Sequence, residues 1–374
     1  MSREYQPSID WLKAIGLTLI VLGHFADAAM LTLLPPIYPK QIGVALFLYA
    51  TGYGLAREQR STWHVLSRRL FDMYLYGVAA ALLCSVIGLA TIGNALESNY
   101  LPFAGGVNVV LDDFPANPTT WFIGAYLHIL LVWALVLRRL DLRHRTLAVI
   151  LVGEVIVRAA LIQSAGAFVA YMNVSNWITV FALGLMEGRA PASATDRTAN
   201  VAHRAPLLSS WTAAALLVGF VVAWTTALAA MPVRMGFPFM RIAPSAPASA
   251  LATSIAVSTL YLVCTLLTVR AVRSVPAPAV VRFVARNTLI VFIAHMPLYY
   301  IVQPFARAAT SAYWLRVLLY LVVCYGAVLI VSEVIQRLTH RLRVRERVLG
   351  AITPAPRLRP PSVPACEPTQ PLAG

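Results

Sequence analysis

Apolar runs of about 20 residues succeed one another along nearly the whole chain, and that succession decides what the chain can fold into. A helix of about 20 residues spans a hydrocarbon core of about 30 Å. Such runs lie near residues 11–32, 41–57, 71–92, 119–137, 146–164, 167–186, 209–230, 249–269, 284–304 and 313–336. In lipid every backbone polar group must be satisfied within the protein, so the pattern reads as an all-α, polytopic integral membrane protein of about ten transmembrane helices. Composition agrees. Hydrophobic residues make up 59% and charged residues only 12% of 374, with a mean hydropathy of +0.72, too little charge to cover the surface of a soluble chain. The run beginning near Trp11 lacks a small-residue cleavage pattern, so it is expected to stay as an anchor rather than leave as a signal peptide.

The formal net charge of +15 invites a nucleic-acid reading, but its distribution points to the membrane instead. Alternate connections, 57–70, 138–145, 187–208, 270–283 and the stretch from 337, hold almost all the arginines, among them Arg68, Arg69, Arg138, Arg139, Arg270, Arg282 and Arg337. The other connections hold only Lys40, Arg234, Arg241 and Arg307, and 93–118 carries Glu97, Asp112 and Asp113. Basic loops stay on the cytoplasmic side, which predicts ten helices with both termini cytoplasmic, in a cell inner or plasma membrane.

Seven prolines after Gly350 (354, 356, 360, 361, 364, 368 and 371) and few large apolar residues mark the C-terminal stretch as a disordered tail. The domain boundaries expected are a membrane domain over 1–340 and a Pro-rich cytoplasmic tail over 341–374. The loop 188–208 is similarly small and polar. Glycines and prolines in 93–118 suggest an ordered flap or re-entrant piece. No internal repeat of the kind common in transporters is visible.

Ionisable groups at membrane depth are costly, so each needs a partner or a task. The first helix carries four of them, Asp10, Lys13, His24 and Asp27. Lys13 and His24 are eleven residues apart, which places them on one stripe about 16 Å apart along the axis. Asp10 and Asp27 stand three residues from Lys13 and His24, within reach of the same stripe. Alone, Lys13 reads as a snorkelling anchor and His24 as a polar contact between helices. Together on one face they point to a site, since histidine suits acid–base work near neutral pH.

Elsewhere, His128 and His295 lie at membrane depth, where each can simply bond a backbone carbonyl. Glu154 and Arg158 are four apart and neutralise each other most simply. Asp72 and Glu333 fall near helix ends, where solvated carboxylates are common. Tyr53 and Trp121 can stack on a ligand or pack as ordinary aromatics. Arg68 and Arg69 read as orientation markers or as a grip for phosphate oxygens. Cys84, Cys264, Cys324 and Cys366 lack metal-ligand spacing, and no metal site is expected. The absence of a nucleotide-binding glycine loop argues against an ATP-driven pump on this chain.

Taken as a whole, the first helix resembles the opening of the acyltransferase-3 family of membrane acyltransferases, in which an aspartate precedes a basic residue, ten further residues and a histidine. Here these are Asp10, Lys13 and His24. Further resemblances lie in VALFLYATGYGLA with its Thr51-Gly52-Tyr53 triplet, SRRLFDMY with Arg68 and Arg69, TTWFIGAYLHILLV with Trp121, and ARNTLIVFIAHMPLYY with His295. Most members carry arginine where this chain has Lys13, and the lysine version looks like the branch similar to fucose 4-O-acetylases.

The resemblance, over roughly residues 6 to 335, implies O-acyl transfer, usually of acetyl, from acetyl-CoA to a hydroxyl of a sugar, glycan or lipid-linked glycan. It implies a catalytic set of His24, Lys13 and Asp10, donor binding by Arg68 and Arg69, and acceptor contacts from Tyr53, Trp121 and His295. Acetyl-CoA would be a donor substrate, with no permanently bound cofactor and polysaccharide modification as the outcome. A glycan or lipid transporter or flippase, with the intramembrane histidine and carboxylates as a proton relay, is one alternative, and a non-catalytic sensor or scaffold is another.

Overall fold

The structure, a computed structural model, describes residues 6–26, 39–93, 100–113, 117, 119–189, 209–230 and 247–352. Every regular element among them is helical. Helix α1 (Pro7–Ala26) and α2 (Pro39–Ala56) each open on a proline, whose missing N–H costs nothing in a first turn. Then follow α3 (Thr62–Ile92), two single turns α4 (Leu101–Ala104) and α5 (Asn108–Leu111), and α6 (Thr120–Val132), which continues as a π-helical stretch to Leu137. The chain proceeds through α7 (His144–Ser164), α8 (Ala167–Met172), α9 (Ile178–Arg189), α10 (Ser210–Ala230), α11 (Pro247–Val272) and α12 (Ala279–Ala309). It closes with α13 (Tyr313–Tyr320), a π-helical link Leu321–Ala327, α14 (Val328–Arg341) and α15 (Val344–Ile352). Among the described residues, five helical stretches are long and apolar enough to cross a membrane by length and composition: Thr62–Thr91, Thr120–Leu137, His144–Ser164, Pro247–Val272 and Ala279–Leu298. The count of ten rests on the loop charges.

Glycines seat α2 between α1 and α9. A side chain at Gly43 would meet the Gly16 carbonyl, and one at Gly52 would meet the Phe181 carbonyl. Such close approach is how helices associate where lipid supplies no hydrophobic drive. On its other flank α1 runs alongside α12, with Trp11 Nε1 donating to the Pro276 carbonyl at 3.2 Å near one end and His24 meeting His295 near the other.

Four features go beyond the sequence expectation. Helix α3 begins at Thr62 and not near 71, because Ser61 caps it by accepting the His64 N–H. Arg68 and Arg69 therefore lie on a helix and not in a connection. The run 167–186 breaks between α8 and α9, where Val174–Asn176 form one 3-10 turn. The broken backbone is served by the Glu154–Arg158 ion pair of α7, both residues being buried. Arg158 donates to the Ser254, Ser175 and Asn176 carbonyls, and Glu154 accepts the Thr179 N–H at 2.8 Å. Glu333 is not simply solvated; it accepts from Arg286 at 2.7 Å, Asn287 at 3.0 Å and Arg337 at 2.9 Å, tying α14 to α12. Finally, the boundary placed at 340 is followed by a helix, α15, whose Arg345 pairs with Asp72 on α3. Residues from 353 onward, Asp27, and the loop from 190 to 208 lie outside the described residues. Of the expected flap 93–118, the described parts are α4, α5 and Asn117, whose amide donates to the Ile293 carbonyl at 2.9 Å.

Candidate active site

Lys13 and His24 occupy opposite ends of α1, and the structure gives each a different neighbourhood. Lys13 lines a cavity of about 220 Å³ together with Phe47, Thr51, Arg69, Asp72 and Tyr126. Asp10 and Arg69 are both within electrostatic reach of Lys13. Arg69 is held by its Nη1, which donates to the Tyr126 hydroxyl at 2.8 Å. Two basic side chains thus meet one pocket from α1 and α3.

At the other end His24, partly buried, faces the fully buried His295 of α12. The rings stand 4.9 Å apart, with His295 Nε2 at 3.1 Å from His24 Nδ1. His295 Nδ1 lies 2.5 Å from the Phe292 carbonyl and must carry the proton that this acceptor takes. Its Nε2 is then an acceptor in the neutral ring. His24 Nδ1 faces that lone pair and, at 3.0 Å, the Ile20 carbonyl, so Nδ1 is the protonated nitrogen of His24 as well. The surroundings therefore assign the tautomer that leaves His24 Nε2 with an unprotonated lone pair, the form a general base needs.

Three phenylalanines line the cavity, and one of them, Phe292, also neighbours the histidine pair. The Phe292 ring packs edge-on against Phe122 at 4.8 Å and Phe47 at 6.2 Å, all three lining the cavity. The Phe292 ring also lies 6.0 Å from His295. Phe292 thus belongs both to the cavity lining and to the surroundings of the histidine pair.

The sequence expectations divide here. Lys13, Asp10 and Arg69 come together, as do His24 and His295. Arg68 is not among the cavity-lining residues; it turns toward Asp72, since neighbours on a helix point about 100° apart. Tyr53 accepts from Arg57 at 3.0 Å instead of lining the pocket. Trp121 packs on Tyr171 at 5.0 Å and Trp177 at 6.2 Å. His128 faces the Gly106 backbone. Thr51, Phe47, Phe122 and Tyr126 were not singled out from the sequence. The signal was present, because Phe122 and Tyr126 share one face at i, i+4, and Thr51 opens the triplet whose Gly52 is committed to α9.

The family profile described as an acyltransferase domain matches residues 6–333. The chain belongs to the acyltransferase-3 family. An acyltransferase-3 protein is an acyltransferase, and its apolar helices make this one a multi-pass membrane enzyme. No match is found among curated proteins or among solved structures. The matched segment includes Lys13, at the cavity, and both members of the His24–His295 pair.

Proposed function

We propose that this enzyme transfers an acetyl group from acetyl-CoA to a hydroxyl of a sugar or lipid-linked glycan, from a cell inner membrane with both termini in the cytoplasm. The observation that carries this reading is the tautomer assigned to His24, whose partner His295 shares Phe292 with a pocket lined by two cations. A cavity of about 220 Å³ is smaller than the roughly 300–1,000 Å³ of sites that enclose a drug-sized ligand. It accepts one end of the donor, with Lys13 and Arg69 offering charge to the phosphates or polar groups that follow.

The chemistry then needs little else. The thioester must pass Phe292 to reach His24 Nε2, which takes the proton of the acceptor hydroxyl as its oxygen attacks the thioester carbonyl. The tetrahedral centre collapses with loss of the CoA thiolate, and the proton on His24 is available to it, so the products are the ester and free CoA. A two-step route, in which His24 Nε2 is acylated first and the acceptor displaces it, uses the same residues. His295 takes no part in bond making; it orients His24.

Radiolabel from acetyl-CoA is expected in the glycan fraction of membranes carrying the enzyme. Movement of unlabelled glycan across the bilayer without covalent change would support the transporter alternative instead. Reporter fusions after residues 140 and 345 should report the cytoplasm and one after residue 110 the opposite side; the inverse pattern refutes the orientation.

A further inference from the structure

Residues 344–352 lie beyond the segment matched by the family profile, yet they fold onto the cavity wall. Helix α14 ends in a turn where Arg343 takes φ 48°, a left-handed conformation costing a non-glycine residue roughly 1–2 kcal/mol. Beyond that turn α15 packs against α3. Its first turn carries Arg345, which reaches the Asp72 carboxylate at 3.4 Å, the two side chains being 34% and 25% exposed. Asp72 itself lines the cavity with Lys13 and Arg69. Arg68 and Glu346 also act on Asp72, so the carboxylate sits in a mixed field and not in a dedicated pair. Arg345 Nε is buried with no hydrogen-bond partner among the described residues.

We propose that α15 is a wall of the donor site and that Arg345 binds a phosphate of acyl-CoA. This rests on the donor reading above. The cavity is too small to enclose the nucleotide, and Arg345, next to the lining residue Asp72, is a basic group placed to meet a phosphate outside it. A guanidinium fork matches phosphate oxygens, and a multiply charged donor outcompetes a single carboxylate for it. Asp72 then keeps Arg345 in place while the site is empty. Anionic lipid headgroups offer the same phosphate chemistry, and the test separates the two sources.

The test is calorimetric binding of CoA and of pantetheine, which lacks the phosphates, to the full-length protein in neutral detergent. Arg345→Ala should raise the Kd for CoA about tenfold and leave that for pantetheine unchanged. Arg345→Lys should raise it less, and Asp72→Asn, which frees the guanidinium, should lower it about threefold. An unchanged CoA Kd in Arg345→Ala overturns the proposal. So does an equal loss in Arg345→Ala and Asp72→Asn, which marks a purely structural ion pair. An effect seen only in anionic-lipid nanodiscs assigns Arg345 to lipid and overturns it too. If the parent protein binds no CoA at all, the donor reading falls and this inference with it; if the parent binds CoA and Arg345→Ala binds it equally well, only this inference falls.

Discussion

His295 Nε2 lies 3.1 Å from His24 Nδ1, joining residues 271 positions apart in the chain. Because Phe292 fixes the proton on His295 Nδ1, the contact dictates which nitrogen of His24 is free. His295 is thus a positioning residue. His295→Leu should lower kcat by about 10- to 100-fold, with the donor KM little changed, since the base survives but loses its orientation. His295→Gln, which can place an amide oxygen where Nε2 accepts, should recover part of the rate. A steady-state comparison of the two variants checks this, and equal activity in both argues against orientation.

The cavity cations make a second prediction. Arg69 lines the pocket and Arg68 does not, so Arg69→Ala should raise the acetyl-CoA KM by about tenfold and Arg68→Ala by much less. Lys13→Arg should retain appreciable activity because the charge stays, whereas Lys13→Ala should not. Donor saturation curves on the four variants decide it; equal effects of Arg68 and Arg69 would mean that both act through the general field.

Glu154 and Arg158 concern stability. Removing either partner of a buried pair costs about 3–5 kcal/mol, and here it also strips partners from the α8–α9 break. Glu154→Ala and Arg158→Ala should each lower the thermal midpoint in detergent. Replacing both by leucine should fail to restore it, unlike a simple ion pair, because the backbone groups at residues 175, 176 and 179 stay unserved. Full recovery in the double variant would show that the pair serves only itself.

Much of the site was legible in the sequence, and the reasons are local. Lys13 and His24 share a stripe because eleven residues make just over three turns of one helix, which needs no knowledge of neighbours. The apolar runs became helices because lipid leaves the backbone little choice. The His24–His295 contact was not legible, since it depends on α12 lying alongside α1. Nor was the difference between Arg68 and Arg69, which exists only because Ser61 starts α3 early enough to make them helical. The break at Asn173–Trp177 was hidden because its polar partners, Glu154 and Arg158, sit on another helix and read as a self-contained pair. Arg345 is one arginine of the basic stretch from 337, and only the packing of α15 on α3 sets it apart by placing it on Asp72.

The base assignment is tested most directly by His24→Gln, assayed for acetyl transfer alongside its melting temperature. A general base contributes a factor of about 10² to 10⁴ in rate, and glutamine keeps polarity without offering a basic nitrogen. The expected result is a folded protein, melting close to the parent, whose transfer rate has fallen by at least 10². A folded His24→Gln enzyme working at near-parental rate would make His24 a packing residue and contradict the mechanism.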